Sequence, residues 1–237
     1  MDHIHFSPAG EQGIVMQFGN SIDEDTNRRI RYIVERLQGQ RGIVELIPTF
    51  CSLLVLFDLH KTNYQKMQRL LEKEMRGIEI LPKEEKKVHY IPVCYGGTYG
   101  EDLDFVAEHA GMSKQEVIEL HSGRDYLIYM LGFLPGFAYL GGMDSRLFCP
   151  RLSSPRVKIP AGSVGIGGEQ TGIYPLESPG GWQLIGRTPL RPYDAARSDA
   201  FLYHMGEYIR FCPISEKEYE IISKDVQSGK IAGEEWR

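Results

Sequence analysis

Leu131–Leu190 reads LGFLPGFAYLGGMDSRLFCPRLSSPRVKIPAGSVGIGGEQTGIYPLESPGGWQLIGRTPL. Between Gly132 and Gly186 lie twelve of the chain's 26 glycines and six of its 13 prolines. No window there keeps a helical period long enough for a helix. Glycine admits positive φ at little steric cost, and proline fixes φ and removes a donor. The stretch therefore predicts short strands joined by tight turns. Phe133, Phe137, Tyr139, Phe148, Tyr174 and Trp182 give it core-forming side chains, which separates it from a low-complexity linker. Two readings of its glycines stand open: turns in a β-barrel wall, or positions where main-chain N–H groups come close to a ligand.

Working outward, Val88–Tyr95 alternates like a strand, and Leu103–Ala110 reads as a short helix stopped by Gly111. Ser113 with Glu116 forms a capping-box pair that opens a second helix, ending near His121-Ser122-Gly123. Tyr126–Leu131 is a strand that leads into the Gly/Pro stretch. Beyond it, Tyr208–Phe211 reads as a strand and Ser215–Ser228 as a helix with Tyr219, Ile222 and Val226 on one side.

The first third has a different texture. Ile4–Phe6, Ile14–Phe18, Ile43–Ile47, Ser52–Phe57 and Ile78–Leu81 read as strands. Ile22–Leu37, capped by Ser21 with Glu24 behind it, and Asn63–Met75 read as helices. Lys83-Glu84-Glu85-Lys86-Lys87 follows Pro82 and has a linker's composition, although a solvated turn would look the same. It places a small α+β domain over residues 1–86 and a mainly-β domain, closed by a C-terminal helix, over 87–237.

The net charge of −5 argues against nucleic acid or an anionic membrane as partner. Cys51, Cys94, Cys149 and Cys212 form no C-x-x-C pair and read as reduced thiols of a cytoplasmic protein. No signal peptide is expected in Met1–Ala9, and no apolar run has the length of a membrane span. A P-loop and an H-E-x-x-H motif are missing, and no metal site is expected.

His121 is the candidate catalytic residue. It stands at a helix end, either as a cation favoured by the helix dipole or as a neutral imidazole at a pocket mouth that carries a proton. Arg156, Lys158 and Arg187 can hold a carboxylate or phosphate, and Gln170 and Thr171 can orient a small amide. Tyr174 and Trp182 can wall the pocket, with Gly136, Gly167, Gly168 and Gly172 as its backbone. The expectation is that His121, Gln170, Thr171, Tyr174 and Trp182 share one concave rim of the barrel.

Several motifs then occur in one order: Glu45-Leu46-Ile47-Pro48, Ile91-Pro92-Val93-Cys94-Tyr95-Gly96-Gly97, Gly132 to Leu140, Pro160 to Ile166, Gln170 to Pro175, Ser178-Pro179-Gly180-Gly181-Trp182, and Gly186-Arg187-Thr188-Pro189. In this the chain resembles the family of the 5-oxoprolinase B subunit, also called allophanate hydrolase subunit 1. That family takes in the sporulation kinase A inhibitor and part of the carboxyltransferase domain of urea carboxylase. The chain departs from the family pattern at Glu11-Gln12 and at Glu169.

The resemblance implies a cyclophilin-like barrel for the second domain. It also implies partners, the 5-oxoprolinase C and A subunits, with which such chains open the lactam of 5-oxoproline to glutamate using ATP and Mg. The chain alone is expected to be inactive. Phosphorylating the lactam oxygen would create a leaving group that water can displace. A second implied role is inhibition of a sporulation sensor histidine kinase, and a third is part of an allophanate- or urea-processing enzyme. Prolyl isomerisation would rest on fold analogy alone.

Overall fold

The structure, a computed structural model, describes residues 4–20, 23–76, 85–233 and 236. Contacts divide the chain into two compact units, Met1–Glu85 and Lys86–Arg237. Among the described residues it is mainly β, with five α-helices.

The first unit runs β1 (His5–Pro8), β2 (Gly13–Gln17), α1 (Glu24–Leu37), β3 (Ile43–Pro48), β4 (Ser52–Phe57) and α2 (Tyr64–Glu74). Its sheet is antiparallel in the order β1-β2-β4-β3. Alternation in β4 buries Leu53, Val55 and Phe57 against Ile30, Ile33 and Leu37 of α1 and Met67 and Leu71 of α2. α1 begins later than the sequence reading places it. Asp23 is the N-cap, its carboxylate accepting from Thr26 N at 2.8 Å and from Thr26 Oγ1 at 2.8 Å. Ser21 and the expected strand Ile78–Leu81 lie outside the described residues.

The second unit opens with β5 (Val88–Tyr95), α3 (Leu103–Ala110), α4 (Lys114–Ser122), β6 (Tyr126–Leu131) and β7 (Ala138–Gly141). A 3-10 turn at Ser145–Leu147 leads to β8 (Arg156–Ile159), β9 (Ser163–Gly167), β10 (Gln170–Ile173), β11 (Ser178–Gly180) and β12 (Gln183–Arg187). β13 (Tyr208–Pro213) and α5 (Glu216–Gln227) complete it. That three-residue turn is the one helical piece inside Leu131–Leu190, as the glycine and proline spacing predicts.

Seven strands form one sheet in the order β10-β9-β12-β5-β13-β6-β7. Every neighbouring pair is antiparallel except β5 with β13. The sheet curls until its end strands meet: a Cβ on Gly172 of β10 would lie 3.1 Å from the Ala138 carbonyl oxygen of β7. The result is a nearly closed barrel. Inside it Ile91, Val93, Val164, Ile166, Ile173, Ile185, Ile209 and Phe211 pack together. A separate small cluster of Phe137, Ile159, Tyr174, Trp182 and Leu184 packs near the two-stranded β8–β11 sheet.

Strand parity sorts these two clusters. Val164 and Ile166 of β9 belong to the inner core, so Gly165 and Gly167 point outward. Register pairs Thr171 with Ile166 and Gly172 with Gly165. Thr171 therefore faces the barrel interior, and Gly172 faces out.

Candidate functional site

His121 lies in the last turn of α4, a helix capped at its start by the Ser113–Glu116 capping box. Its side chain is fully buried and stacks on Phe211 with ring centroids 4.5 Å apart. Nδ1 lies 2.7 Å from Tyr95 Oη, and Nε2 lies 2.8 Å from Thr171 Oγ1. The direction of each bond follows from hydrogen bookkeeping. Thr171 has one hydroxyl hydrogen and gives it to the Gly165 carbonyl at 3.0 Å. Thr171 Oγ1 must then accept from His121 Nε2–H, which leaves Nδ1 to accept from the Tyr95 hydroxyl. The ring is neutral, and burial pushes its pKa down to about 3. Burial also holds the Tyr95 phenol well above its ordinary range.

The expected meeting of His121 and Thr171 thus occurs, but inside the barrel and not on a rim. Both residues are fully buried. The dipole-stabilised cation is excluded as well, because a neutral tautomer accounts for both bonds the ring makes.

An open concavity lies elsewhere, on the outer face. It is a cleft of about 320 Å³ lined by Phe133, Phe137, Tyr139, Arg151, Tyr174 and Trp182, with Pro155 and the Pro179–Gly181 turn. The rings meet edge-on: centroids are 5.1 Å apart for Phe137 and Tyr139, and 5.6 Å for Phe137 and Trp182. Glycines make this packing possible. A Cβ on Gly167 would lie 2.2 Å from Trp182 Cδ1, and one on Gly172 would lie 3.2 Å from Trp182 Cζ3. Gly167 and Gly172 thus leave room for the indole rather than for ligand-facing amides.

The remaining expected site residues scatter. Gln170 opens β10 half-buried, beside the hairpin turn where Gly168 takes φ +68°. Lys158 is exposed on β8 and pairs with Glu177 at 2.9 Å. Arg187 ends β12 with its guanidinium 5.9 Å from the Tyr99 ring centroid. Gly136 lies against Tyr193, and its carbonyl accepts from the Tyr203 hydroxyl at 2.9 Å. Of the named side chains, Tyr174 and Trp182 alone line the cleft.

Arg151 and Phe133 are cleft residues that the sequence reading does not select as site residues. Phe133 carries a signal, standing in a Gly-Phe-Leu-Pro-Gly turn as a large apolar residue. It adopts φ +64°, the one non-glycine with positive φ among the described residues, and is 63% exposed. Asp102 anchors the neighbouring wall. Its carboxylate takes Arg156 Nη2 at 2.8 and 2.9 Å and the Leu184 main-chain N–H at 2.6 Å. Arg156 Nη1 also donates to the Trp182 carbonyl at 3.3 Å.

Among the described residues no group of three or more His, Cys, Asp and Glu side chains is placed to hold a metal ion. No helix among them is long and apolar enough to cross a membrane.

Fold and site together define a nearly closed barrel with an aromatic cleft on its outer face. Residues 4–203 match the carboxyltransferase domain, subdomain C and D, and the chain belongs to that family. Within it, the chain is similar to the 5-oxoprolinase B subunit of Bacillus subtilis (strain 168), 39% identical over 228 residues, which is 91% of this chain and 95% of that one. It is also similar to the 5-oxoprolinase B subunit of Escherichia coli O157:H7, 41% identical over 211 residues, which is 87% of this chain and 94% of that one. Among solved structures it resembles TTHA0988 in space group P212121, at a TM-score of 0.76 and 36% identity. That match takes in 86% of this chain and 40% of the other, so this chain spans less than half of TTHA0988.

Proposed function

We propose that this chain is the B subunit of a cytoplasmic, ATP-dependent 5-oxoprolinase, opening the lactam of 5-oxoproline to glutamate together with the C and A subunits. One observation carries the reading: two relatives of that name match nearly end to end, at 39% and 41% identity. In the same reading residues 1–86 are an α+β domain and 87–237 a cyclophilin-like barrel domain.

The chain's own residues supply a binding surface more readily than a reaction centre. Tyr174 and Trp182 wall a cleft suited to a small flat molecule. His121, the candidate proton carrier, is sealed in the core with both ring nitrogens bonded. A proton shuttle needs reach to the reacting group, which this position denies. The cleft does not fit ATP either. A triphosphate requires several converging cations or a glycine-rich loop at a helix start, and the cleft offers the single guanidinium of Arg151. The nucleotide, with Mg, is therefore assigned to a partner. The length of TTHA0988 beyond the matched region agrees with a chain that works beside further protein.

The test is reconstitution. The chain is co-expressed with candidate C and A subunits, and ATP-dependent release of glutamate from 5-oxoproline is followed. Turnover by the assembly and none by the purified chain is expected. An assembly that hydrolyses no 5-oxoproline, or a single chain that does so unaided, overturns the proposal.

A further inference from the structure

We infer that the outer cleft binds a small ring carrying a carboxylate, with the Arg151 guanidinium as the group that receives the carboxylate. The choice of 5-oxoproline as first probe rests on the function proposed above; the chemistry of the cleft does not.

Size and shape come first. About 320 Å³ lies at the small end of ligand sites and suits one compact ring. Its walls are aromatic and braced edge to face, Phe133 on Phe137 at 5.5 Å and Tyr174 on Trp182 at 6.0 Å between centroids. Such walls give a flat guest two faces without ordering flexible side chains.

Charge decides what kind of ring. Arg156 nearby is spent on Asp102 and Glu101. Arg151 has no ion pair among the described residues and lies 5.8 Å from the Trp182 ring centroid. The chain on both sides of it is pinned. Gln183 Nε2 donates to the Pro150 carbonyl at 3.0 Å, and Leu152 N–H donates to the Gly181 carbonyl at 2.7 Å. An exposed guanidinium without an ion pair among the described residues, on a main chain held on both sides and beside an aromatic floor, selects an anion, and its fork matches a carboxylate.

A second polar group points the same way. Tyr174, a lining residue, carries a phenol hydroxyl whose hydrogen can be donated into the cleft. A carbonyl or carboxylate oxygen in the cleft would receive it.

Phe133 stands at the edge of the cleft. Leu134 N–H donates to the Gly132 carbonyl at 2.7 Å across Phe133, a γ-turn of the rarer, strained hand. Gly132 N–H donates to the Phe137 carbonyl at 3.1 Å and ties the loop shut behind it. The fold holds a large side chain in a costly conformation at the edge of the cleft, as binding sites do.

The experiment measures binding to the full chain carrying Trp236→Phe, so that Trp182 is its one tryptophan. 5-Oxoproline is titrated against Trp182 fluorescence, with 2-pyrrolidinone, the same lactam without the carboxylate, as control. Arg151→Gln should weaken 5-oxoproline by about tenfold or more, the usual worth of a charge-assisted bond, and leave 2-pyrrolidinone unchanged. Arg151→Lys should recover part of the loss. In the reconstituted complex, Arg151→Gln should raise KM with kcat nearly unchanged. Equal affinity of Arg151→Gln and parent for the acid overturns the inference, as does failure of the full chain and the complex to bind any ring acid at the cleft. Turnover that is indifferent to Arg151→Gln removes this inference and leaves the proposed function standing. A cleft that takes another ring acid through Arg151, in a complex inert toward 5-oxoproline, does the reverse.

Discussion

Replacing His121 by alanine separates a structural histidine from a catalytic one. The substitution removes the acceptor of the buried Tyr95 hydroxyl and the ring stacked on Phe211. A buried donor without a partner costs about 1–3 kcal/mol, and the cavity left by the ring adds roughly 2 kcal/mol. Thr171 loses an incoming donor but keeps its own bond to Gly165, which costs little. The loss at about pH 7.5 is therefore about 3–5 kcal/mol. Acid changes that figure in a defined direction. The ring's pKa falls from an ordinary 6.5 to about 3 in the fold, so the neutral form is the folded one. Its contribution is complete above pH 6.5 and is lost as pH falls toward 3, at roughly 1.4 kcal/mol per unit. At about pH 5 the parent has already given up about 2 kcal/mol through this group, and the gap between parent and His121→Ala narrows to about 1–3 kcal/mol. Urea unfolding followed by tryptophan fluorescence reads the second unit alone, since Trp182 and Trp236 both lie in it. A gap of the same size at these two pH values refutes the buried neutral imidazole. So does a His121→Ala protein of parental stability whose complex has lost turnover, which would return the residue to a catalytic role.

Gly167→Ala places a methyl group inside the Trp182 ring and should cost about 1–3 kcal/mol, with a shift of Trp182 emission as the indole leaves its bed; an unchanged spectrum and melt would contradict the packing. Asp102→Asn removes one of the two carboxylate charges paired with Arg156 and weakens the bond to Leu184 N–H; a loss of about 2–3 kcal/mol in urea unfolding is expected, and a loss under about 0.5 kcal/mol would mean the network is idle. Phe133→Gly relieves the positive-φ strain, so stability should hold or rise by up to about 1 kcal/mol, while binding of the ring acid weakens through loss of the wall at the cleft mouth; a clear drop in stability would contradict the strain.

Signals that act within a few residues are legible in the sequence. The capping box Ser113–Glu116, the stop at Gly111 with φ +66°, and the Gly/Pro stretch without a long helix all rest on local backbone chemistry. The start of α1 shows where that reading blurs: Ser21 with Glu24 reads as the cap, while in the fold it is the Asp23 carboxylate that accepts from Thr26 N. The division of the candidate site is beyond it altogether. Thr171 and Gly172 are neighbours in the chain, yet one bonds His121 inside the barrel and the other lies under Trp182 outside. Strand alternation says that they face opposite ways; the pairing of β10 with β9 and the closure of the sheet say which way is in. Arg151 is the same lesson in charge. Nothing in its flanking residues distinguishes it from Arg156. Only the fold, by sending Asp102 and Glu101 to one arginine and not the other, leaves Arg151 without an ion pair among the described residues, at the wall of the cleft.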